Sequence, residues 1–477
     1  MQVVISKLLK EKKEKAKQLV ETLSKEFAYV SVLATDSKGT AFAVRKKSIF
    51  VADSFLCTEC GYVVRVHNGI GYSEYSFNSL DDVEAVIKKM REVAKEDVEI
   101  LKKAGIKEIE YPVIEEDSVE KSFFAEIGQS LDAMNAQQKI EKMTQIMQKA
   151  FEYNKNLIDF VVNYEEVQVS KIFLSTKKDL EQSYVYSIGY LIPYLKEGGA
   201  VKYSVKSFSK LSGAELLDDM MANVEKACDN VAEILKAEPI VAGTYDIICS
   251  PEVTGLIAHE AFGHGVEMDM FVKNRAKARE YIGKPVASAI TEMHDGANAA
   301  SQVSSYLFDD EGTLAGDTCI IKDGILQTGM CDVLSALSLG IKPTGNGKRE
   351  SFERKAYTRM TNTFFSYGNA TLDEMIASIK KGYLLEGYFS GMEDPKNWGI
   401  QCAVEKGREI IDGKLTGKIV GPIFLTGYVP TLLSSISMIS KEKDFSLCGG
   451  GYCGKGYKEF VRVSMGGSYI KAVGRFG

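Results

Sequence analysis

Histidine is scarce in this chain: four among 477 residues, at positions 67, 259, 264 and 294. Any imidazole site has to draw on these. Positive charge is not in excess either. Lys plus Arg number 59 against 65 Asp plus Glu, a net charge of −6. With no large basic block, the electrostatic footprint of a nucleic-acid binder is missing. No apolar core follows the short segment before Lys7, so a secretory leader is not expected. A cytoplasmic location is therefore the expectation, in which its nine cysteines would be free thiols. Long uncharged runs are also lacking, with one exception at 419–440. It is long enough to cross a bilayer. It also holds Pro422, Pro430, two glycines and six Ser or Thr, which reads instead as buried strands followed by a short core helix. No membrane partner is expected, and no repeat of 20–50 residues is visible.

What remains is an ordinary globular composition, 45% hydrophobic and 26% charged. That excludes disorder, collagen and a disulfide-stapled mini-protein. The length suggests two or three domains. Glycine divides the chain, with 11 in residues 1–250 and 31 in 251–477. We expect an α+β protein with two parts. Residues 1–240 form an N-terminal α/β domain with long helices and a mixed sheet. Residues 241–477 form a glycine-rich, β-rich domain.

The N-terminal part opens with apolar residues at helical spacing, from Ile5 through Leu9, Ala16, Leu19 and Leu23 to Phe27. Short β-rich runs follow at 29–34, 40–44, 48–52, 61–66 and 72–77. A long helix is expected at 80–104 with Asn78 or Ser79 as its cap, and a second helical block at 118–153. Further strands are expected near 160–169 and 185–193, and a third helix near 214–236. In the C-terminal part, a strand at 245–249 leads into Ser250-Pro251-Glu252, a helix start by its Ser, its Pro and its early acid.

That helix carries His259-Glu260-Ala261-Phe262-Gly263-His264. Two imidazoles and a carboxylate are the parts of a zinc peptidase: ligands for the ion and a base beside its water. His259 and His264 are the ligand candidates and Glu260 the base candidate. The spacing departs from His-Glu-x-x-His. Residues i and i+5 stand ~140° apart around an α-helix, so the two histidines cannot grip one ion unless the backbone bulges or the helix ends between them. Gly263 is where such a break costs least. A third ligand could come from Glu267, from Asp269, or from Cys448 or Cys453 in the glycine-rich run 447–457.

The segment His259 to Asp269 resembles the metal-binding signature of the TldD/PmbA family, once labelled modulators of DNA gyrase and understood as metallopeptidases. Further matches follow in order: Asp309-Asp-Glu-Gly-Thr313, Ile321-Lys-Asp-Gly-Ile325, Thr344-Gly-Asn-Gly-Lys-Arg-Glu-Ser351, Arg359-Met-Thr-Asn-Thr363 and Cys453-Gly-Lys455. The likeness is strong over 240–477 and weak before it. It implies that His259, His264 and Cys453 bind Zn2+ and that Glu260 is the general base. The chain keeps these residues, as catalytic TldD-like members do and PmbA-like partner subunits do not. The resemblance further implies an α/β domain joined to a β-rich one. It also implies a dimer, with itself or a PmbA-like chain, whose enclosed sites take short or unfolded peptides. The segments 344–347 and 359–363 would suit pairing with such a peptide. The rival reading is a non-catalytic PmbA-like subunit, against which the presence of Glu260 argues. Direct DNA binding is disfavoured by the charge balance.

Other signals carry less. Cys57-Thr-Glu-Cys60 has no second pair and reads as a strand end. Asp309-Asp-Glu-Gly lacks the alternation of a calcium loop and reads as a turn. His294-Asp295 is either support for the zinc or surface, and surface is the expectation. Trp398 is a loop anchor or a substrate-facing aromatic. Cys448 could also act as a resolving thiol for Cys453.

Overall fold

The computed structural model describes residues 1–54, 56–104, 110–456 and 459–477. Tyr457, at the end of the glycine-rich run, lies outside the described residues. The architecture is α+β.

The first 210 residues supply a nine-stranded mixed sheet. Its spine runs Tyr72–Phe77, Glu59–His67, Val30–Arg45, Leu157–Ser175, Lys178–Glu197 and Val119–Phe124, the last pair parallel. The two runs expected at 29–34 and 40–44 are one 16-residue strand. Asp36 to Gly39 do not interrupt it, because they pair in register with Leu157–Ser175. Alternation along this strand sorts its contacts. Val30, Val32 and Ala34 pack on the helices Lys7–Leu23 and Val83–Lys103, while Leu33 meets Phe308 of the C-terminal part.

Capping sets the helix starts. Ser6 accepts a hydrogen bond from Leu9 N. The second helix starts later than expected and is capped by Asp82, not Asn78 or Ser79. The helical block expected at 118–153 is split: Val119–Phe124 is an edge strand and the helix is Ala136–Tyr153, started by an Asn135–Gln138 capping box. The helix expected at 214–236 is two, Leu216–Ala222 and Val224–Leu235.

From Gly243 onward two larger sheets form, beside a two-stranded ribbon of Gly347–Lys348 and Tyr357–Thr358. In the larger, Gly243–Cys249 pairs with both Lys381–Asp394 and Ile470–Phe476, which closes the strands into a barrel through Gly399–Ile411 and Ile423–Tyr428. The run 419–440 becomes a strand end, the strand Ile423–Tyr428, the short helix Val429–Ser434 and the strand Met438–Ile439. Among the described residues no helix is long and apolar enough to cross a membrane. The smaller sheet has six strands, ending Met293–Asp295, Asn362–Phe365, Glu459–Gly467 and Ser446–Lys455.

The helix begun by Pro251 lies against both sheets of this part. Gly255 permits the approach: a Cβ there would stand 2.5 Å from Gly466 N. The other sheet presses from the far side, where a Cβ on Gly391 would stand 2.3 Å from Glu260 Cγ. The histidine motif is thereby held between the barrel and the hairpin that carries Cys453.

Candidate metal centre

The α-helix Pro251–Leu256 changes to a π-helix at Ile257–Gly263 and ends in a tight turn at His264–Val266. The N–H of His264 bonds to the carbonyl of His259. This i→i+5 closure is the bulge that the spacing demands. It brings His259 and His264 to one face, ring centroids 5.0 Å apart and edge to face. Gly263 makes the winding possible. A Cβ there would lie 2.3 Å from Met360 Sδ and 3.0 Å from the Ala258 carbonyl oxygen.

Opposite the histidines stands Cys453, buried, on the strand Ser446–Lys455. Its Sγ is 3.5 Å from His264 Nε2. One ligand atom from each of His259, His264 and Cys453 lies within 4.8 Å of the other two. A tetrahedral zinc with ordinary N and S bond lengths would hold such atoms about 3.5 Å apart. Glu260 Oε2 is 3.9 Å from His264 Nε2. These four residues border a cleft of about 560 Å³.

Of the other candidates for third ligand, Glu267 takes a supporting position. Its Oε2 is 3.0 Å from His264 Nδ1 and 3.3 Å from Lys455 Nζ. Asp269 is held by Lys455 at 2.6 Å and Lys273 at 3.1 Å. Cys448 faces away, its Sγ 2.9 Å from Ser207 Oγ. It is five residues from Cys453 on one strand, roughly 15 Å along it. A disulfide needs Cα atoms under about 7 Å apart, so Cys448 is no resolving partner.

The electrostatics favour a thiolate. Burial alone would push the Cys453 thiol up, but His264 and His259 hold it well below its ordinary value. Burial would likewise push His264 down, yet Cys453 and Glu267 raise it well above. Glu267 is lowered to about 2 against its burial, by Lys455 and then His264. His259 Nδ1 is buried without a hydrogen-bond partner among the described residues. A soft thiolate, two imidazoles and an orphaned buried nitrogen fit a borderline-soft divalent ion such as zinc.

Some expectations fail. The segment 359–363 is buried, and its strand residues Asn362 and Thr363 pair with strands of the protein itself. Asp295 accepts from Thr361 N, Thr361 Oγ1, Thr363 Oγ1 and Asn346 Nδ2. Arg359 donates to the carbonyl oxygens of Cys453 and Glu459. This network braces the hairpin behind the thiol. Asp295 is therefore fully buried rather than surface, and His294 is largely covered. Trp398 is a loop anchor, 1% exposed, its ring packed 4.5 Å between centroids from that of Tyr281 at a tilt of 58°. Asp309-Asp-Glu-Gly is a turn, as expected, and its side chains reach across the molecule: Asp310 pairs with Lys171 and Glu311 with Arg65. All nine cysteines are free, including Cys57 and Cys60. Cys57 Sγ stands 3.1 Å from the hydroxyl of Tyr452, the neighbour of Cys453. Glu393 is a residue that sequence reasoning missed. It sits at the rim with a carboxylate atom within 4.8 Å of atoms of Glu260 and His264. A lone acid before Asp394-Pro395 carries no signal of that role.

Residues 242–473 match the sequence profile of the PmbA/TldA metallopeptidase C-terminal domain. A metalloprotease of Methanocaldococcus jannaschii is 28% identical over 65% of this chain and 68% of its own length. A zinc metalloprotease TldD homolog of Saccharolobus solfataricus is 32% identical over 54% of this chain and 55% of its own. The match thus spans about two thirds of the first relative and about half of the second. The crystal structure of TldE from Thermococcus kodakarensis superimposes with a TM-score of 0.74 over 97% of this chain and 99% of that one, at 18% identity. That likeness concerns the fold.

Proposed function

The chain belongs to the PmbA/TldD family through its C-terminal residues 242–473, and from that premise we propose that it is a zinc-dependent peptidase of the TldD-like branch. The observation that carries the proposal is the gathering of His259, His264 and Cys453 donors within 4.8 Å, beside the Glu260 carboxylate. A structural zinc needs no base at its side, which disfavours a non-catalytic partner subunit. In this reading residues 241–477 are the catalytic unit and residues 1–240 the unit packed against it.

His259, His264 and Cys453 would hold the ion and leave its fourth position to the cleft. When bound, zinc lowers the pKa of its water to about 7 and polarises a carbonyl. Glu260 accepts the proton of the attacking water and returns it to the leaving amine. Glu267 accepts from His264 Nδ1, which fixes the tautomer and keeps Nε2 directed at the donor cluster. Lys455 neutralises Glu267, so this support adds little net charge. The substrates are short or unfolded peptides in the cytoplasm, and the working assembly is a dimer with a second copy or a PmbA-like chain.

Glu260→Gln tests the base. The variant should keep its zinc and its fold and lose ~10²–10⁴-fold or more in peptide turnover. Turnover of an unfolded peptide at the unaltered rate would remove Glu260 from this role. Paired digests of one substrate, folded and denatured, read by mass spectrometry, test the substrate class. Equal cleavage of both would rule out an enclosed site.

A further inference from the structure

The fourth histidine stands in a second cluster of metal-ligating side chains, which shares no residue with the centre described above. The strand Met293–Asp295 lies antiparallel to Thr318–Lys322, with a β-bulge between Met293 and His294. Bulges re-aim side chains. This one sets His294 directly opposite Cys319. Glu292 and Asp317 flank the pair, each directly preceding one of the two strands. His294 Nε2 is 3.1 Å from Glu292 Oε1, and Cys319 Sγ is 3.9 Å from the same oxygen. One ligand atom from each of Glu292, His294 and Cys319 lies within 4.8 Å of the other two.

The fourth residue completes the pattern. Asp317 Oδ1 is 2.7 Å from His294 Nδ1. A carboxylate on one imidazole nitrogen fixes the tautomer and turns the other nitrogen's lone pair to a metal. A neutral imidazole has one N–H. It can donate to Asp317 or to Glu292 but not to both, so the second contact requires another cation, a proton or a metal ion, at Nε2. The ring is also fixed in place: it stacks on Phe364 at 5.5 Å between centroids and 8° between planes. Around a tetrahedral zinc, N···O and S···O edges measure about 3.4 and 3.6 Å. The observed 3.1 and 3.9 Å bracket them.

The geometry points to a second divalent-cation site, with Glu292 Oε1, His294 Nε2 and Cys319 Sγ as ligands and Asp317 as the residue that positions His294. The mixed O, N and S donors select a borderline-soft transition ion, zinc foremost, over magnesium or calcium. Glu292 is 42% exposed and His294 16%, so the fourth position opens to water. The ion would clip two strands of the six-stranded sheet and needs nothing from the peptidase reading.

Cobalt serves as the probe, because its thiolate complexes absorb by charge transfer. In full-length Cys453→Ala, stripped by chelation, added Co2+ should still produce a thiolate band with one equivalent bound. That band should vanish in Cys453→Ala/Cys319→Ser. In the otherwise unaltered chain, Glu292→Gln should lower zinc stoichiometry by one equivalent. Glu292 is half-exposed at the edge of the cluster and Gln is nearly isosteric with it, so the fold is not at stake. Asp317→Asn should keep the site but weaken it ~10–100-fold. The proposal is overturned if Cys453→Ala gives no thiolate–cobalt band, or if Glu292→Gln and Cys319→Ser bind as much zinc as the parent. Loss of the ion at His259, His264 and Cys453 alone would sink the peptidase reading and leave this one intact.

Discussion

At the scale of single residues, the two late cysteines separate the chemistry from its background. Cys453 is buried beside two imidazoles that hold its thiol well below its ordinary value, while Cys448 bonds to a serine hydroxyl on the far side of the same strand. Cys453→Ala should lose the zinc of the centre, and Cys448→Ala should keep it, as measured by elemental analysis. Equal retention in both would move the third ligand elsewhere, with Glu267 first in line. The hexapeptide by itself points to His259, Glu260 and His264 as candidates and leaves metal binding level with the plainer reading, two unrelated polar residues near a helix end. Cys453 is legible only through the family resemblance. It lies 189 residues from His264, and nothing local tells which of two cysteines in a glycine-rich strand faces inward. The segment around Arg359 that braces the hairpin reads, from its residue types, as a peptide groove. Polar, strand-forming residues look the same whether their partners are a substrate or buried side chains.

At the scale of elements, the histidine spacing implies, for two ligands of one ion, either a backbone bulge or a helix end between them, and the structure takes the bulge as a turn of π-helix. The packing that stabilises it has no such local signal. Gly255 and Gly263 let the winding pass between two sheets, and their neighbours differ in kind. A Cβ on Gly255 meets the backbone of Gly466 at 2.5 Å, whereas one on Gly263 meets the end of the Met360 side chain at 2.3 Å. Both Ala variants should be destabilised by ~1–3 kcal/mol, the usual cost of overpacking. Gly255→Ala should be the worse, because a strand moves less readily than a methionine. Urea midpoints would check the order, and the reverse order would mean that the strand Glu459–Gly467 yields easily. Strand lengths are the least legible feature. Asp36 to Gly39 read as a break but all pair with Leu157–Ser175, and Asp36 and Ser37 with Glu59–His67 as well, and the edge strand Val119–Phe124, exposed along most of its length, has no periodicity to announce it.

At the scale of the whole molecule, charged side chains tie the N-terminal sheet to the C-terminal part, and two glutamates there respond to pH in opposite directions. Glu74 bridges Arg65 and Arg349. Burial opposes its ionisation, but the two guanidinium groups lower its carboxyl from 4.5 to about 2. Its contribution is complete above pH 4.5 and fades as pH falls toward 2. Glu405 accepts hydrogen bonds from Val205 N and Asn230 Nδ2. Burial, the dominant cause, raises it from 4.5 to about 7. The folded chain therefore keeps a proton on Glu405 that the unfolded chain has released. Its contribution is complete below pH 4.5 and is lost as pH rises through 7. A shift of this size corresponds to about 3 kcal/mol over the window. Glu405→Gln retains the accepting oxygen and cannot ionise. The variant should show a flatter stability profile between about pH 5 and 8 and exceed the parent at the upper end, by urea unfolding at fixed pH values. Parallel profiles would mean that Glu405 ionises in the folded protein near its ordinary value, with Lys406 and its neighbours offsetting the burial.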